Sequence, residues 1–320
     1  MTVCVTGAGG YIGAHLVKRL CDRKRSVVAI ERSKGTPAYD SDGEVRCVRR
    51  ELAKDKAPLK GIGDVDCVVH LAGLAHGSAG GRNGTDLFME QNCAVAVRLA
   101  ENAVDAGVRR FILVSSIAIY GDSLTQGDAV VDERTQPLPN SPYGLSKLAA
   151  EKALRRLSDS TGLEVVVVRP ALVVGVGAPG NLERLATFIS RGIPFPVPLR
   201  DNNRSYIGID DLCELLGICI DHPSAGGNTF IAANNEYVST REVVRWIGDG
   251  MGTKTRTIRL PASIIKSVLT ATGHHAVFDK LYGNLMVSST KAQRMLEWHP
   301  VTSLQASFRS LGCSHLGMKR

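Results

Sequence analysis

Thr2-Val3-Cys4-Val5-Thr6-Gly7-Ala8-Gly9-Gly10-Tyr11-Ile12-Gly13 decides the fold of this chain. Residues 2–6 read as a short apolar strand, and a helix is expected over about 12–22. Between them Gly7, Gly10 and Gly13 stand at the spacing GxxGxxG. In a strand–turn–helix unit the first glycine holds a tight turn, the second lets a pyrophosphate reach the backbone, and the third allows close helix–strand contact. The helix start then presents backbone amides and the positive end of its dipole to phosphate. A glycine pattern alone is weak, because a packing turn can carry one. Its place after a strand and before a helix gives it weight.

Outward from this unit the same alternation repeats. Strands are expected at 26–31, 45–49, 65–71, 111–115 and 165–169, with helical patterns between them, and another at 228–232. Short β-branched runs alternating with helices indicate a parallel sheet covered on both faces, an α/β doubly wound architecture. A helix is expected over 87–106 from Leu87, Asn92, Val95, Leu99 and Ala103. A second over about 143–159 follows Ser141-Pro142, a serine cap with proline in the first turn. Glycines and prolines crowd 173–205, which reads as the entrance to a smaller substrate-binding lobe. Ser239-Thr240-Arg241-Glu242 is a capping box, 261–272 and 289–296 read as small helices, and the last eight residues as loose chain. The expected division is 1–172, joined by 206–232, as the dinucleotide-binding domain, with 173–205 and 233–320 as the lobe.

Composition narrows the classes of function. The 320 residues suit roughly two domains, and 44% hydrophobic with 22% charged residues suits a globular enzyme. The formal charge is +8, but the excess is spread along the chain without basic blocks or aromatic–basic interleaving. Nucleic-acid binding is therefore disfavoured, and anionic small substrates are favoured. The cysteines form no CxxC pair and mostly sit in apolar runs, so a reducing compartment is expected. The first residues are already a core strand, and no apolar stretch is long enough to span a bilayer. The expectation is a cytoplasmic protein without membrane insertion.

The chemistry gathers around Tyr143-Gly144-Leu145-Ser146-Lys147, which puts a phenol and an ammonium on one helix face. A neighbouring cation favours the phenolate, so Lys147 is expected to lower the Tyr143 pKa and to hold a nicotinamide ribose. Ser115-Ser116 ends a strand nearby, and one hydroxyl there can steady a reacting sugar oxygen. Glu31 closes the second strand, where a carboxylate accepts bonds from the adenosine ribose and favours NAD. Arg32 and Lys34 beside it keep NADP open. Glu51-Leu52 follows the third strand and reads either as a border of the adenine or as a solvated loop acid. Leu71-Ala72-Gly73 is expected to leave room for the cofactor at a strand's carboxyl end. His70 reads as a packed strand residue, and His76 as a loop histidine with no assigned role. No G-x-S-x-G elbow contains Ser115 or Ser116, and no HExxH pattern is present, so neither serine nucleophile nor metal catalysis is expected.

TGAGGYIG at 6–13, HLAG at 70–73, SSIAIYG at 115–121, PYGLSK at 142–147 and RPALVVG at 169–175 resemble the extended short-chain dehydrogenase/reductase family, in particular its nucleotide-sugar epimerases and dehydratases. SSTKAQRMLEWHP at 288–300 is similar to that family's terminal motif. The resemblance implies a Rossmann-type sheet with a smaller C-terminal α/β lobe, and a catalytic set of Ser116, Tyr143 and Lys147. It implies cofactor contacts at Gly7, Gly10, Tyr11, Ile12, Gly13, Glu31, Leu52, Leu71, Ala72 and Asn92, with Pro170 near the carboxamide. For the substrate it implies Asn181 and Arg204 on a nucleotide diphosphate, with Lys280 the one candidate for a second phosphate cation. Dehydratases of the family carry an aspartate–glutamate pair after the hydroxyl residue, where this chain has Ile117, so 4,6-dehydration is disfavoured. The activity implied is that of a UDP-sugar 4-epimerase with bound NAD. The alternative is an NAD(P)H-dependent reductase of a UDP-4-keto-6-deoxy-hexose in bacterial surface-polysaccharide synthesis. The family also implies a homodimer through the helices around 89–106 and 143–159.

Overall fold

The computed structural model describes residues 1–32, 45–54, 64–75, 83–123, 129–273 and 275–317. Lys34 and His76 lie outside them. The first half contains strands β1 (Thr2–Thr6), β2 (Ser26–Glu31), β3 (Val45–Arg49), β4 (Cys67–His70) and β5 (Arg110–Val114), with helices α1 (Tyr11–Asp22), α2 (Asn83–Phe88) and α3 (Val95–Asp105). A short β6 (Val130–Val131) precedes α4 (Pro142–Thr161) and β7 (Glu164–Pro170). The second half continues with β8 (Leu172–Val174), α5 (Asn181–Ser190), β9 (Phe195–Pro198), β10 (Arg204–Gly208), α6 (Ile209–Asp221) and β11 (Thr229–Ala232). It closes with β12 (Tyr237–Val238), α7 (Thr240–Gly250), β13 (Thr257–Leu260), α8 (Ala262–Ala271), α9 (His275–Tyr282), β14 (Met286–Val287), α10 (Thr290–Leu296) and α11 (Leu304–Gly317).

Seven parallel strands form the main sheet in the order β11-β7-β5-β4-β1-β2-β3. Apart from the exposed edge strand β3, its strands are apolar on both faces, and successive residues alternate between two cores. Val3, Val5, Val69 and Ile112 pack with Leu16 of α1 and Leu212 of α6. Cys4, Val68, Phe111 and Leu113 pack with Leu99 of α3 and Leu154 of α4. Because the strand order reverses at β1, with β2 on one side and β4 on the other, a crevice opens at the carboxyl ends of these strands. The glycine turn after β1 sits at that crevice.

A smaller lobe has its own core, centred on Leu182, Leu185, Trp246 and Phe308. Two findings differ from the sequence reading. The segment expected as one helix over 87–106 contains a π-helical turn at Met89–Ala94 between α2 and α3. The chain end, expected to be loose, is helical as far as Gly317. Leu304, Phe308 and Leu311 recur on one helix face and are buried, and Phe308 meets Tyr206 edge-on at 5.1 Å between centroids. Glycines bring α11 and α7 into backbone contact: a Cβ at Gly312 would stand 2.1 Å from the Ile247 carbonyl oxygen.

Candidate active site

The glycine turn fits a dinucleotide. Gly7 has φ +70°, and a Cβ there would come within 2.8 Å of the Ala72 nitrogen. A Cβ at Gly13 would lie 2.1 Å from the Gly7 carbonyl oxygen, so no larger residue fits at this helix–strand contact. A Cβ at Gly10 would meet only that same carbonyl, at 3.1 Å, leaving the turn's outer surface open. No side chain caps the start of α1. Glu31 is buried at the end of β2, and its Oε2 lies 3.2 Å from where a Gly9 Cβ would be. The carboxylate therefore stands over the turn. Arg32 next to it is exposed. Leu71 and Ala72 are half-buried, and Ala72 N–H donates to Thr6 Oγ1 at 3.3 Å. Pro170 ends β7 in a buried position.

Tyr143 and Lys147 occupy the start of α4. Ser141 Oγ caps this helix by accepting from Gly144 N–H at 3.2 Å, with Pro142 opening the first turn. A Cβ at Gly144 would come 2.5 Å from the Ala118 carbonyl oxygen, so glycine lets α4 lie against the 3-10 turn Ile117–Tyr120. Ser116 caps that turn, its Oγ accepting from Ala118 N–H at 3.1 Å. The close approach brings the Ser116 side chain near enough to Tyr143 to favour its phenolate. Phe88 packs edge-on to the Tyr143 ring at 6.2 Å.

Lys147 is buried; its Nζ donates to the Val114 carbonyl at 2.9 Å and lies 5.9 Å from the Tyr143 ring centroid. Burial lowers its ammonium to about 8, with Glu151 opposing. The expected lowering of Tyr143 by Lys147 is not what the site shows: burial raises the phenol, and the opposing contribution comes from the Ser116 side chain. His70 is buried with Nδ1 2.8 Å from Thr6 Oγ1, and burial followed by Lys147 pushes it down to about 3. It is a neutral strand residue, as its place in β4 suggested.

Other expected residues have protein partners or lie exposed. The Ser115 hydroxyl is buried and donates to Glu151 Oε1, so the two adjacent serines have separate partners. The Asn92 side chain accepts from Leu74 N–H at 2.7 Å and donates to the Leu74 carbonyl and to Ser146 Oγ. It holds the strand-end loop against α4, and a Cβ on Gly73 would strike its Oδ1 at 2.8 Å. Glu51 is exposed and pairs with Lys54 at 3.2 Å, and the Leu52 carbonyl accepts from Arg98 at 2.6 Å. Asn181 is exposed at the first position of α5, and Lys280 is exposed in α9. Arg204 Nη1 donates to the carbonyls of Asp279 at 2.9 Å and Gly283 at 2.8 Å, and both terminal nitrogens reach that of Asp122. This fork is used on backbone where phosphate was expected.

Sequence reasoning assigned no role to Glu151 or Arg169. Arg169 forms two hydrogen bonds to Glu151, at 3.1 and 2.6 Å, and a third to the Tyr120 hydroxyl at 2.5 Å. The available signal was spacing: Tyr143, Lys147 and Glu151 recur every four residues on one face of α4. Among the described residues no cluster of three or more His, Cys, Asp or Glu could hold a metal. Nor is any helix among them long and apolar enough to cross a membrane.

A half-buried phenol, a hydroxyl near it, and a buried ammonium beside a dinucleotide crevice make a proton-transfer site for a carbinol or carbonyl. The sequence profile of the NAD dependent epimerase/dehydratase family matches residues 3–233. This chain belongs to that family. Among other family-like proteins, a UDP-glucose 4-epimerase of Vibrio cholerae is 32% identical over 96% of this chain and 93% of its own length. MoeE5, solved in complex with UDP-glucuronic acid and NAD, matches all of both chains with TM-score 0.79 and 26% identity. A UDP-glucuronic acid 4-epimerase from Bacillus cereus in complex with NAD also matches all of both chains, with TM-score 0.81 and 21% identity, a likeness of fold.

Proposed function

We propose that this chain is a UDP-sugar 4-epimerase working with bound NAD. The meeting of Ser116, Tyr143 and Lys147 beside the glycine turn carries this reading. The activity named for the Vibrio cholerae relative and the ligands named for MoeE5 support it. The amides of Gly7, Gly10, Tyr11, Ile12 and Gly13 would hold the pyrophosphate, and Glu31 the adenosine ribose hydroxyls. The buried carboxylate over the turn, with Arg32 exposed, favours NAD over NADP. Leu71, Ala72, Gly73 and Pro170 would wall the remainder, and Lys147 would hold the nicotinamide ribose. When bound, NAD supplies a reversible hydride acceptor.

The chain's residues handle the proton. Tyr143 takes it from the sugar C4 hydroxyl and later returns it to the 4-keto oxygen, while the Ser116 hydroxyl steadies that oxygen. Tyr143 accepts that proton as the phenolate and gives the same proton back; burial opposes the phenolate and the Ser116 side chain favours it. Asn181 is the proposed diphosphate contact on the substrate side. Arg204 would then act through the loops it ties together. We further propose a homodimer through the helical segment around 89–106 and α4, supported by Leu145 of α4 and by Leu87 of α2, just before that segment, which are 45% and 40% exposed.

The test is incubation of purified protein with UDP-glucose or UDP-N-acetylglucosamine without added reductant. The expected outcome is a mixture of C4 epimers at constant total nucleotide sugar. No epimer, together with consumption of NADH or NADPH on a UDP-4-keto sugar, would assign the one-way reductase instead.

A further inference from the structure

On the far side of α4 from α3, a groove of about 970 Å³ lies between α4, the edge strand β11 and α10. Ser116, Tyr143 and Lys147 do not line it. Two of its ion pairs are closed: Arg169 with Glu151 at 2.6 Å, and Arg134 with Asp132 at 2.8 Å. The cations left over are Lys152 and Arg155 from α4, and Lys291 and Arg294 from α10. Among the described residues none of these four has a carboxylate within 4.0 Å. The remaining acid on the wall, Glu133, accepts from Ile231 N–H at 2.8 Å.

We propose that this groove is a second binding site, for a small molecule carrying a multiply charged phosphate group. The cations are held in place for it. Arg155 Nη2 donates to Thr229 Oγ1 at 3.1 Å, which fixes its head against the edge strand. Lys291 Nζ lies 5.2 Å from the Phe230 ring centroid, a cation–π placement that keeps a half-buried ammonium on the wall. Burial, Arg155 and Arg169 all lower the Lys291 ammonium, while Glu133 raises it. Cations outnumber the one opposing acid there, Glu133, and a bound phosphate would relieve their repulsion. Guanidinium and ammonium groups from two facing helices suit the oxygens of a di- or triphosphate better than a single carboxylate. The volume is at the upper end of the small-molecule range of roughly 300–1,000 Å³. Leu148 and Met295 add apolar wall for a body attached to the phosphate.

The probe is inorganic tripolyphosphate, titrated calorimetrically at low ionic strength into the full chain with saturating NAD and UDP present. These nucleotides occupy the crevice, so it cannot supply the signal. The expected result is one saturable site whose affinity falls with added salt. A Lys291→Gln, Arg294→Gln double variant should weaken it by roughly tenfold or more, with NAD affinity unchanged. Lys152→Gln, on the exposed opposite wall, should weaken it independently and serves if the double variant melts early. The proposal is overturned by no saturable heat or by equal affinity in the variants. Binding of a long acidic polymer without tripolyphosphate binding would also overturn it, and would make the groove a macromolecular contact.

Discussion

Lys147 carries its charge at the expense of stability. Its pKa falls from 10.5 to about 8 because it is buried, so at pH 7 the folded chain holds an ammonium that water would solvate better. Between about pH 8 and 10.5 the unfolded chain keeps a proton that the folded chain has released, so native stability rises with pH across that window. Replacing Lys147 by Met is therefore expected to raise the melting temperature at pH 7, with a ceiling of roughly 3 kcal/mol set by the shift. That gain should shrink as pH passes from 8 to 10.5, while turnover is lost. Melting curves at a series of pH values check this; a lower melting temperature at pH 7 would mean that the bond to Val114 outweighs desolvation. Tyr143 and Lys147 were legible because helical spacing alone puts them on one face. Ser115, Asn92 and Arg204 were harder, because sequence does not distinguish a polar group that meets a ligand from one that satisfies buried backbone or a carboxylate.

Among the elements, the placement of α4 governs the site, and Gly144 governs that placement. A methyl group there would stand 2.5 Å from the Ala118 carbonyl oxygen, and a main-chain atom cannot swing aside. Gly144→Ala is expected to move the start of α4 away from the Ser116 turn and to lengthen the Ser116–Tyr143 contact. The overpacking cost should be about 1–3 kcal/mol. Turnover should fall by roughly tenfold or more, with NAD affinity nearly unchanged. Steady-state kinetics beside a thermal melt measure both; unchanged turnover would show that this contact does not position Tyr143. The same physics explains why α11 was missed. Gly312 is where α11 touches the backbone of α7, a contact with a distant segment that local sequence does not announce. The π turn at Met89–Ala94 was illegible for another reason: its extra residue leaves the apolar spacing of the flanking helices intact while turning Asn92 inward.

For the whole molecule, the main sheet was readable because each strand is a local apolar run and each crossover a local helix. The lobe was less so, because its pairings join distant segments: β6 lies beside β14, with Val131 opposite Val287, and β9 beside β13, with Val197 opposite Arg259. No periodicity in either partner announces the other. Quaternary structure is read from a surface in the same indirect way. Leu87 of α2 and Leu145 of α4 expose large apolar side chains on neighbouring helices. A second copy related by a twofold axis would bury both, and a patch shared by both subunits is self-complementary. The protein is therefore expected to sediment as a dimer. Leu145→Lys should shift it toward monomer by placing two ammonium groups at the symmetric contact, with little change in the melting temperature of the separated chain because Leu145 is already exposed. Sedimentation velocity over a range of concentrations decides the matter: a wild-type monomer, or a variant that remains fully dimeric, would remove α4 from the interface.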